Sequence, residues 1–203
     1  MLFTIRRISV PTLLTAAFAT AIFTFEPAAA PTDDRRAATS QNGMRLHYPP
    51  QHLPILTLPN GNRRSIRSVL NVTHAQQHGD YVWNDTGVPT GPVWVRADLA
   101  LQTLSVFRGG HEIGSAVILY GADRKPTPEG VYPILAKAKH HRSNLYDADM
   151  PYMLRLTGDG IAIHASKVRA GSATHGCIGV PLAFAKRLFR EVERGDPVAI
   201  FAP

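Results

Sequence analysis

Residues 161–180 read IAIHASKVRAGSATHGCIGV, an apolar run and a loop that contains the single cysteine of the chain. The apolar residues Ile161–Ile163 predict a strand that ends at His164. After nine intervening residues comes the segment Thr174–Cys177, with the sequence THGC. Two imidazoles and a thiol therefore lie close together along the chain, which is the composition of a candidate catalytic site.

Cys177 is a candidate nucleophile, because thiol chemistry at an acyl carbon needs a nucleophile, a base and an oxyanion site. A free thiol has a pKa of about 8.5, so only a few per cent is thiolate at neutral pH. A nearby imidazole raises that fraction, and both His164 and His175 are close enough in sequence to supply it. Two other interpretations stay open: a cysteine buried in the core, and a zinc site formed by these three side chains.

Gly176 provides a candidate oxyanion site. Without a Cβ atom, it lets the backbone N–H groups of Gly176 and Cys177 approach a substrate carbonyl. In known cases each preorganised donor of this kind stabilises the tetrahedral oxyanion by roughly 3 kcal/mol. Thr174 is expected to hold the turn through a hydrogen bond between its side chain and the backbone.

From Val69 onward the chain is predicted to be mainly β, because short apolar and aromatic runs alternate with turn residues. One helix is predicted between Pro181 and Gly195, where apolar residues recur at helical spacing. The residues expected to pack this helix on the sheet are Leu182, Ala185, Leu188, Phe189 and Val192. The predicted strands are 68–72, 80–84, 93–97, 101–108, 112–119, 131–136, 152–156, 160–164 and 198–201.

The N-terminal part differs in composition from the rest. Residues 1–30 combine a charged start, an apolar run and an Ala-rich end, which is typical of a secretory signal. Pro31 disfavours cleavage, so an uncleaved N-terminal anchor is the alternative. Residues 31–67 are rich in Pro, Asn, Gly, Arg and Ser and are predicted to form a flexible linker. Residues 68–203 are then the folded domain.

Both interpretations of the N-terminus predict export to the periplasm or cell envelope. A lone thiol in an oxidising compartment is a liability unless it is buried or used. The net charge of +7 comes from scattered basic residues rather than one stripe, which argues against nucleic-acid binding. A polyanionic cell-envelope matrix suits this charge.

Further motifs accompany IAIH and THGC along the chain. They are the hairpin VRADL and QTLSVF within 95–107, the turn KPTPEG at 125–130, MPY at 150–152 and GDPVAI at 195–200. In this order and spacing, the motifs resemble those of the L,D-transpeptidases with a YkuD-type catalytic domain. The resemblance covers about residues 93–203.

The resemblance implies a mainly β fold, a YkuD-type β-sandwich or curled sheet with a short helix near the C-terminus packed on it. It implies that Cys177 is the nucleophile and His164 the base, while His175 and the backbone around Gly176 shape the oxyanion and acceptor side. No metal or other cofactor is expected. The candidate substrate contacts are Tyr152, Met153, Thr174, Arg169 and His141.

The implied substrate is a peptidoglycan stem peptide. The thiolate would attack the carbonyl of the L-centre in an L,D peptide bond, expel the terminal D-amino acid and form a thioester. A neighbouring stem amine, a free D-amino acid, water or a lipoprotein lysine would resolve it, giving cross-linking, exchange, carboxypeptidase activity or anchoring. A carbapenem is expected to react with Cys177, and the protein is expected to be a monomer.

The chain departs from the family pattern near both reacting groups. Ala165 follows the histidine where Gly or Ser is common, and its backbone carbonyl is expected to orient the imidazole. Family members commonly carry arginine two residues after the cysteine, where this chain has Gly179. That arginine is a natural partner for a substrate carboxylate, and the candidates to replace it are Arg169, Lys167 and Arg155.

Gly179 also keeps a second class of function open. This class comprises a hydrolase that trims the wall or releases wall-attached proteins, and a wall-binding module with low activity. An intact THGC segment together with His164 favours catalysis over the binding module.

Overall fold

The computed structural model describes residues 43–121, 125–143 and 147–202, which form a mainly β fold with one α-helix. The predicted signal or anchor at 1–30 and the first part of the predicted linker lie outside the described residues. None of the helices in the described part is long and apolar enough to cross a membrane. The elements in chain order are β1 (Arg45–His47), a 3-10 turn (Pro50–His52), β2 (Ile55–Thr57), β3 (Arg63–Ser65), β4 (Ser68–Leu70), β5 (Tyr81–Trp83), β6 (Val93–Asp98), β7 (Thr103–Arg108), β8 (His111–Val117), β9 (Gly130–Pro133), β10 (Ala136–Ala138), β11 (Met153–Arg155), β12 (Ala162–Ala165), β13 (Ile178–Val180), α1 (Leu182–Glu191) and β14 (Pro197–Phe201).

The largest sheet has eight strands. Its order is β1-β4-β8-β7-β6-β14-β9, and β5 pairs with β8 off this path. Strands β6, β7 and β8 form an antiparallel meander, as the alternation of apolar runs and turns predicts. The closing strand β14 pairs parallel to β6 and antiparallel to β9, so the C-terminal segment completes the sheet.

A four-stranded sheet of order β10-β11-β12-β13 carries the histidine and lies next to the cysteine. Strands β12 and β13 run parallel, with Ile163 level with Ile178 and His164 level with Gly179. Strand β13 was not among the predicted strands. Because Cys177 directly precedes it, this pairing brings the cysteine beside the strand that carries His164.

The main core unites apolar side chains from both of these sheets and from α1. Phe184 of α1 is fully buried, and its ring lies edge-on to Trp83 with 5.4 Å between ring centres. Burial of a side chain of this size contributes about 1.5–3 kcal/mol. The prediction that Leu182 lies on the buried face is wrong, since Leu182 is 58% exposed. It lies two positions before Phe184 and therefore on nearly the opposite side of the helix.

Residues 43–67 belong to the fold, so the flexible linker predicted at 31–67 is wrong over this described part. Strand β1 pairs with β4, and β2 and β3 form a hairpin. Leu58 and Ile66 are buried in a second core with Trp94 and Phe107, whose rings stack with 4.3 Å between their centres. The sequence shows little apolar periodicity here, because each strand is only three residues long. Its apolar residues nevertheless pack the segment on the large sheet.

Candidate active site

One pocket of about 420 Å³ contains both His164 and Cys177. Its walls come from β11 and β12, the turn between them, the THGC segment and the segment that precedes β11. His141, Met153 and Thr174, all predicted substrate contacts, line the same pocket. The predicted catalytic histidine His175 lines it as well, so the structure brings most of the predicted site together.

The parallel pairing of β12 and β13 explains why the imidazole and the thiol reach one pocket. Ile163 and Ile178 lie side by side and are both buried in the core. Since side chains alternate along a strand, the flanking His164 and Cys177 point away from the core. The register of a single strand pair therefore sets the relative position of the imidazole and the thiol.

His164 is oriented through its Nδ1 atom. This atom lies 2.9 Å from the carbonyl oxygen of Ala165 and 3.4 Å from the hydroxyl oxygen of Ser166. Because a carbonyl only accepts, we assign the proton to Nδ1, and Nε2 is then the basic nitrogen. The expectation for the Ala165 carbonyl is confirmed by this contact.

The surroundings of His164 favour its neutral form. Burial lowers the pKa of the imidazole, the hydrogen bond to Ala165 opposes this, and the charge of His141 lowers the pKa further. The net effect is a lowered pKa, so the imidazole is neutral at neutral pH and able to accept a proton.

Cys177 is half-buried in the pocket wall. Its Sγ atom lies 3.8 Å from the carbonyl oxygen of Gly160, towards which the thiol donates. Burial raises the pKa of the Cys177 thiol. The backbone N–H of Ala162 and the charge of Lys125 lower this pKa, while the charge of Asp159 raises it. The net shift is upward, so the sulfur is a thiol at neutral pH and needs a base to become a nucleophile.

Two threonine hydroxyls fix the THGC segment. Thr174 donates to the carbonyl of Cys177, which confirms that Thr174 holds this turn. The buried Thr127 donates to the carbonyl of Gly176 at 2.9 Å and accepts the N–H of Gly121 at 2.9 Å. Sequence analysis did not single out Thr127, although the signal was present as the threonine of the KPTPEG turn.

Gly176 occupies a position that only glycine fits. Its φ of 98° lies in the left-handed region, which side chains disfavour. A Cβ atom there would lie 2.6 Å from Cδ1 of Ile161. The backbone conformation and the contact with Ile161 are thus sufficient to explain the glycine, and the close approach of a substrate carbonyl stays a prediction. The role of the Gly176 and Cys177 N–H groups as oxyanion donors stays a prediction.

Gly179 also has no room for a side chain. It lies in β13 beside His164, and a Cβ atom would lie 2.8 Å from both Cβ and Oγ of Ser166. The same atom would lie 3.4 Å from Cβ of Leu119. An arginine at this position would therefore displace Ser166, which itself contacts the imidazole.

The remaining candidate contacts are divided between the pocket and the surface outside it. Arg155 lines it, whereas Lys167 and Arg169 are exposed and lie outside its described lining. Tyr152 packs its ring edge-on against Phe189 of α1, with 5.6 Å between ring centres. Tyr152 thus contributes to packing next to the core, and the structure does not place Tyr152 or Arg169 with the other site residues.

The pocket carries more cationic than anionic side chains. Within its described lining, Lys125 and Arg155 are cations, and Asp159 is the single carboxylate. Sequence analysis missed Lys125, because its position near the sulfur depends on the folding of the KPTPEG turn. Elsewhere in the described ranges, as in this pocket, no three His, Cys, Asp or Glu side chains are close enough to hold a metal ion. The zinc alternative at His164, His175 and Cys177 therefore has no ligand set here.

The fold and the pocket define a class: mainly β proteins with a histidine and a cysteine beside one pair of parallel strands. The family model of the L,D-transpeptidase catalytic domain, YkuD, matches residues 92–200, and the chain belongs to this family. The matched range includes both His164 and Cys177. The predicted family and the predicted YkuD-type fold are thereby confirmed.

Known proteins agree with this assignment. L,D-transpeptidase 2 of Mycobacterium tuberculosis (strain CDC 1551 / Oshkosh) is 25% identical over 121 residues, which cover 51% of this chain and 30% of the relative. The crystal structure of an L,D-transpeptidase from Stackebrandtia nassauensis is 25% identical with a TM-score of 0.52, covering 56% of this chain and 57% of that one. An LD transpeptidase solved in complex with imipenem is 18% identical with a TM-score of 0.52, covering 84% of this chain and 87% of that one, and shares the fold. The chain matches less than two thirds of the length of the first two relatives.

Proposed function

We propose that the protein is a peptidoglycan L,D-transpeptidase in which Cys177 forms a thioester with a stem-peptide donor and passes the acyl group to an amine. The observation that carries the proposal is the pocket shared by Cys177 and His164, with Nδ1 of His164 tied to the Ala165 carbonyl. Family membership supports an L,D peptide bond as the bond that is cleaved.

Acylation begins when Nε2 of His164 accepts the thiol proton. The sulfur forms a C–S bond with the carbonyl carbon of the L-residue, and the carbonyl π electrons move to oxygen. The N–H groups of Gly176 and Cys177 are the proposed donors to this oxyanion. When the carbonyl re-forms, the C–N bond breaks, and the imidazolium gives its proton to the amine of the departing D-amino acid.

In deacylation, His164 takes a proton from the acceptor amine and returns it to the sulfur. The amine of a neighbouring stem attacks the thioester carbon, and Nε2 of His164 accepts the amine proton. The C–S bond then breaks, and the proton returns to sulfur. We propose that His175, which is exposed in the pocket lining, shapes the side from which this acceptor arrives. A free D-amino acid would give exchange by these steps, a lipoprotein lysine would give anchoring, and water would give a carboxypeptidase product.

The opposite pKa shifts of the two groups bear on the order of these steps. Burial lowers the pKa of His164 and raises the pKa of Cys177. A stable thiolate–imidazolium pair needs a thiol that is more acidic than the imidazolium, which is the reverse of this order. We infer that the resting pair is neutral, so that His164 takes up the thiol proton in the course of the reaction.

The proposal extends to an inhibitor, to the oligomeric state of the protein and to its location in the cell. A carbapenem is proposed to acylate Cys177, which the fold shared with the relative solved in complex with imipenem supports. The protein is proposed to act as a monomer in the periplasm or cell envelope, with residues 1–30 as a cleaved signal or an anchor.

Incubation of the purified protein with tetrapeptide-bearing muropeptides, followed by mass spectrometry, tests the proposal. Dimers with a 3–3 link are expected for a transpeptidase, tripeptides alone would indicate a carboxypeptidase, and unchanged muropeptides with retained wall binding would indicate a binding module. Cys177→Ala is the control, expected to abolish turnover with little loss of stability. If the wild type gives neither product nor an imipenem adduct on Cys177, the proposed function is wrong.

A further inference from the structure

We propose that Lys125 binds the C-terminal carboxylate of the donor stem peptide and thereby restricts the enzyme to donors that end in a free D-amino acid. The inference rests on the proposed function. It names the residue that supplies the cation which the chain lacks at position 179.

The chemistry of the donor determines where such a cation has to lie. The carboxylate carbon of the terminal residue is separated from the scissile carbonyl carbon by one nitrogen and one Cα atom, and so lies within about 4 Å of it. The scissile carbon is bonded to Sγ of Cys177 during the reaction. A cation that recognises the carboxylate must therefore lie beside Cys177 in the pocket.

Most of the nearby basic residues do not meet this requirement. Position 179 has no space for a side chain, because a Cβ atom would lie 2.8 Å from Ser166. Lys167 and Arg169 lie outside the described lining of the pocket. Lys125 and Arg155 both line the pocket. Of these two, Lys125 lies against Gly176, next to Cys177, and its charge acts on the Cys177 sulfur, where it favours the thiolate, whereas the charge of Arg155 is not among the causes that shift the pKa of this thiol.

Lys125 lies close to Gly121 and to Gly176 of the THGC segment. A Cβ atom on Gly121 would collide with the carbonyl of Lys125, and a Cβ atom on Gly176 would lie 3.5 Å from Cγ of Lys125. Thr127, two residues further on, donates to the carbonyl of Gly176. The half-buried stem of Lys125 therefore lies against the backbone that precedes Cys177, which limits the positions open to its ammonium group.

Asp159 is expected to weaken the binding of a donor carboxylate by Lys125. It lines the same pocket, and the charge of Lys125 favours its ionised form, so the two groups attract each other. A donor carboxylate competes with Asp159 for Lys125 and is also repelled by it. Asp159→Asn is therefore expected to lower the KM for the tetrapeptide donor.

The decisive experiment compares two donors, a tetrapeptide with a free C-terminal carboxylate and the same peptide with a C-terminal amide. For the full-length wild type, we expect kcat/KM to fall roughly 10–100-fold on the amide, the range of a hydrogen bond to a charged group. Lys125→Met should lose a similar factor on the free acid and show little preference between the donors, while Lys125→Arg should keep the preference. An effect of Lys125 on the thiol alone would slow both donors equally. Lys167→Met is the matched control and should behave like the wild type.

A binding measurement makes the test independent of turnover. In a Cys177→Ala background, titration calorimetry should show tighter binding of the free acid than of the amide, and this difference should vanish when Lys125→Met is added. The inference is overturned if Lys125→Met keeps the full preference for the free acid, or if the Cys177→Ala protein binds both peptides equally. Neither result would bear on the proposed function, which is tested separately by the muropeptide products and the imipenem adduct of the wild type.

Discussion

Substitution of Gly179 by arginine, the residue common in the family, is expected to damage this protein. A Cβ atom at this position would lie 2.8 Å from Cβ and Oγ of Ser166, closer than real Cβ contacts come. Ser166 cannot withdraw easily, because its N–H donates to the carbonyl of Val180 at 2.9 Å. Gly179 is held as well, since its N–H and carbonyl both bond to Leu119 at 2.9 Å.

The size of the effect follows from this geometry. The φ of Gly179 is not in the left-handed region, so the cost is steric rather than conformational. Overpacking of a buried site costs about 1–3 kcal/mol. At about 2–4 °C per kcal/mol for a domain of this size, Tm should fall by roughly 2–12 °C. Gly179→Ala already carries the colliding atom and should show much of this loss.

Urea denaturation followed by fluorescence measures the free energy of unfolding of each variant. Ser166→Gly removes the two atoms at 2.8 Å and leaves the looser contact with Leu119, so the double variant Gly179→Ala/Ser166→Gly should recover most of the loss in a double-mutant cycle. Gly158→Ala is the matched control, because a Cβ atom at Gly158 would meet nothing within 4 Å. The reasoning is refuted if Gly179→Ala is as stable as the wild type, or if Ser166→Gly gives no recovery.

Three further changes test other parts of the site and fold. Thr127→Val leaves the N–H of Gly121 and the carbonyl of Gly176 without their partner. We therefore expect the unfolding free energy to fall by about 1–3 kcal/mol and imipenem acylation to become slower. Thr127→Ser keeps the hydroxyl and should show neither effect. The kcat/KM of the wild type should rise with pH through an apparent pKa below 6.5, because burial lowers the pKa of His164. If the same rise with pH persists in His164→Ala, His164 is not the group that titrates. Burial raises the pKa of Glu112 above 4.5, so this carboxyl favours folding below pH 4.5 and loses that contribution as pH rises through its folded pKa. Glu112→Gln keeps an acceptor for the N–H of Leu70 but does not ionise. The unfolding free energy of this variant, relative to that of the wild type, should therefore increase with pH above about 4.5. A difference that stays constant with pH would argue against burial as the cause of the raised pKa of Glu112.

The parts of the structure that were predictable from the sequence have local signals. The apolar run Ile161–Ile163 ends at His164, and the helix α1 shows apolar residues at helical spacing. Residues 93–117 alternate between apolar runs and turns, which is sufficient to predict the meander of β6, β7 and β8. In each case the residues that form the element also carry the signal for it.

The parts that were missed depend on partners that are distant in sequence. Strand β13 has three residues, too few for a periodic pattern, and it forms because Ile178 pairs with Ile163. The segment 43–67 has no apolar periodicity, and its Leu58 and Ile66 pack against rings of β6 and β7. Thr127 bonds to Gly176, 49 positions away, and no local pattern indicates that contact.

The packing around Gly179 and the role proposed for Lys125 together describe a site that would bind a donor carboxylate without an arginine after the cysteine. With glycine at 179, Ser166 lies 3.4 Å from Nδ1 of His164, and the proposed cation is Lys125 of the pocket lining. An arginine at 179 would displace Ser166, so the two arrangements exclude each other. Gly179→Arg should therefore fail to rescue Lys125→Met, and the double variant should show both the loss of stability and the loss of preference for a free carboxylate. If the double variant instead regains that preference at wild-type stability, an arginine fits beside Ser166, and both the packing argument and the need for Lys125 are wrong.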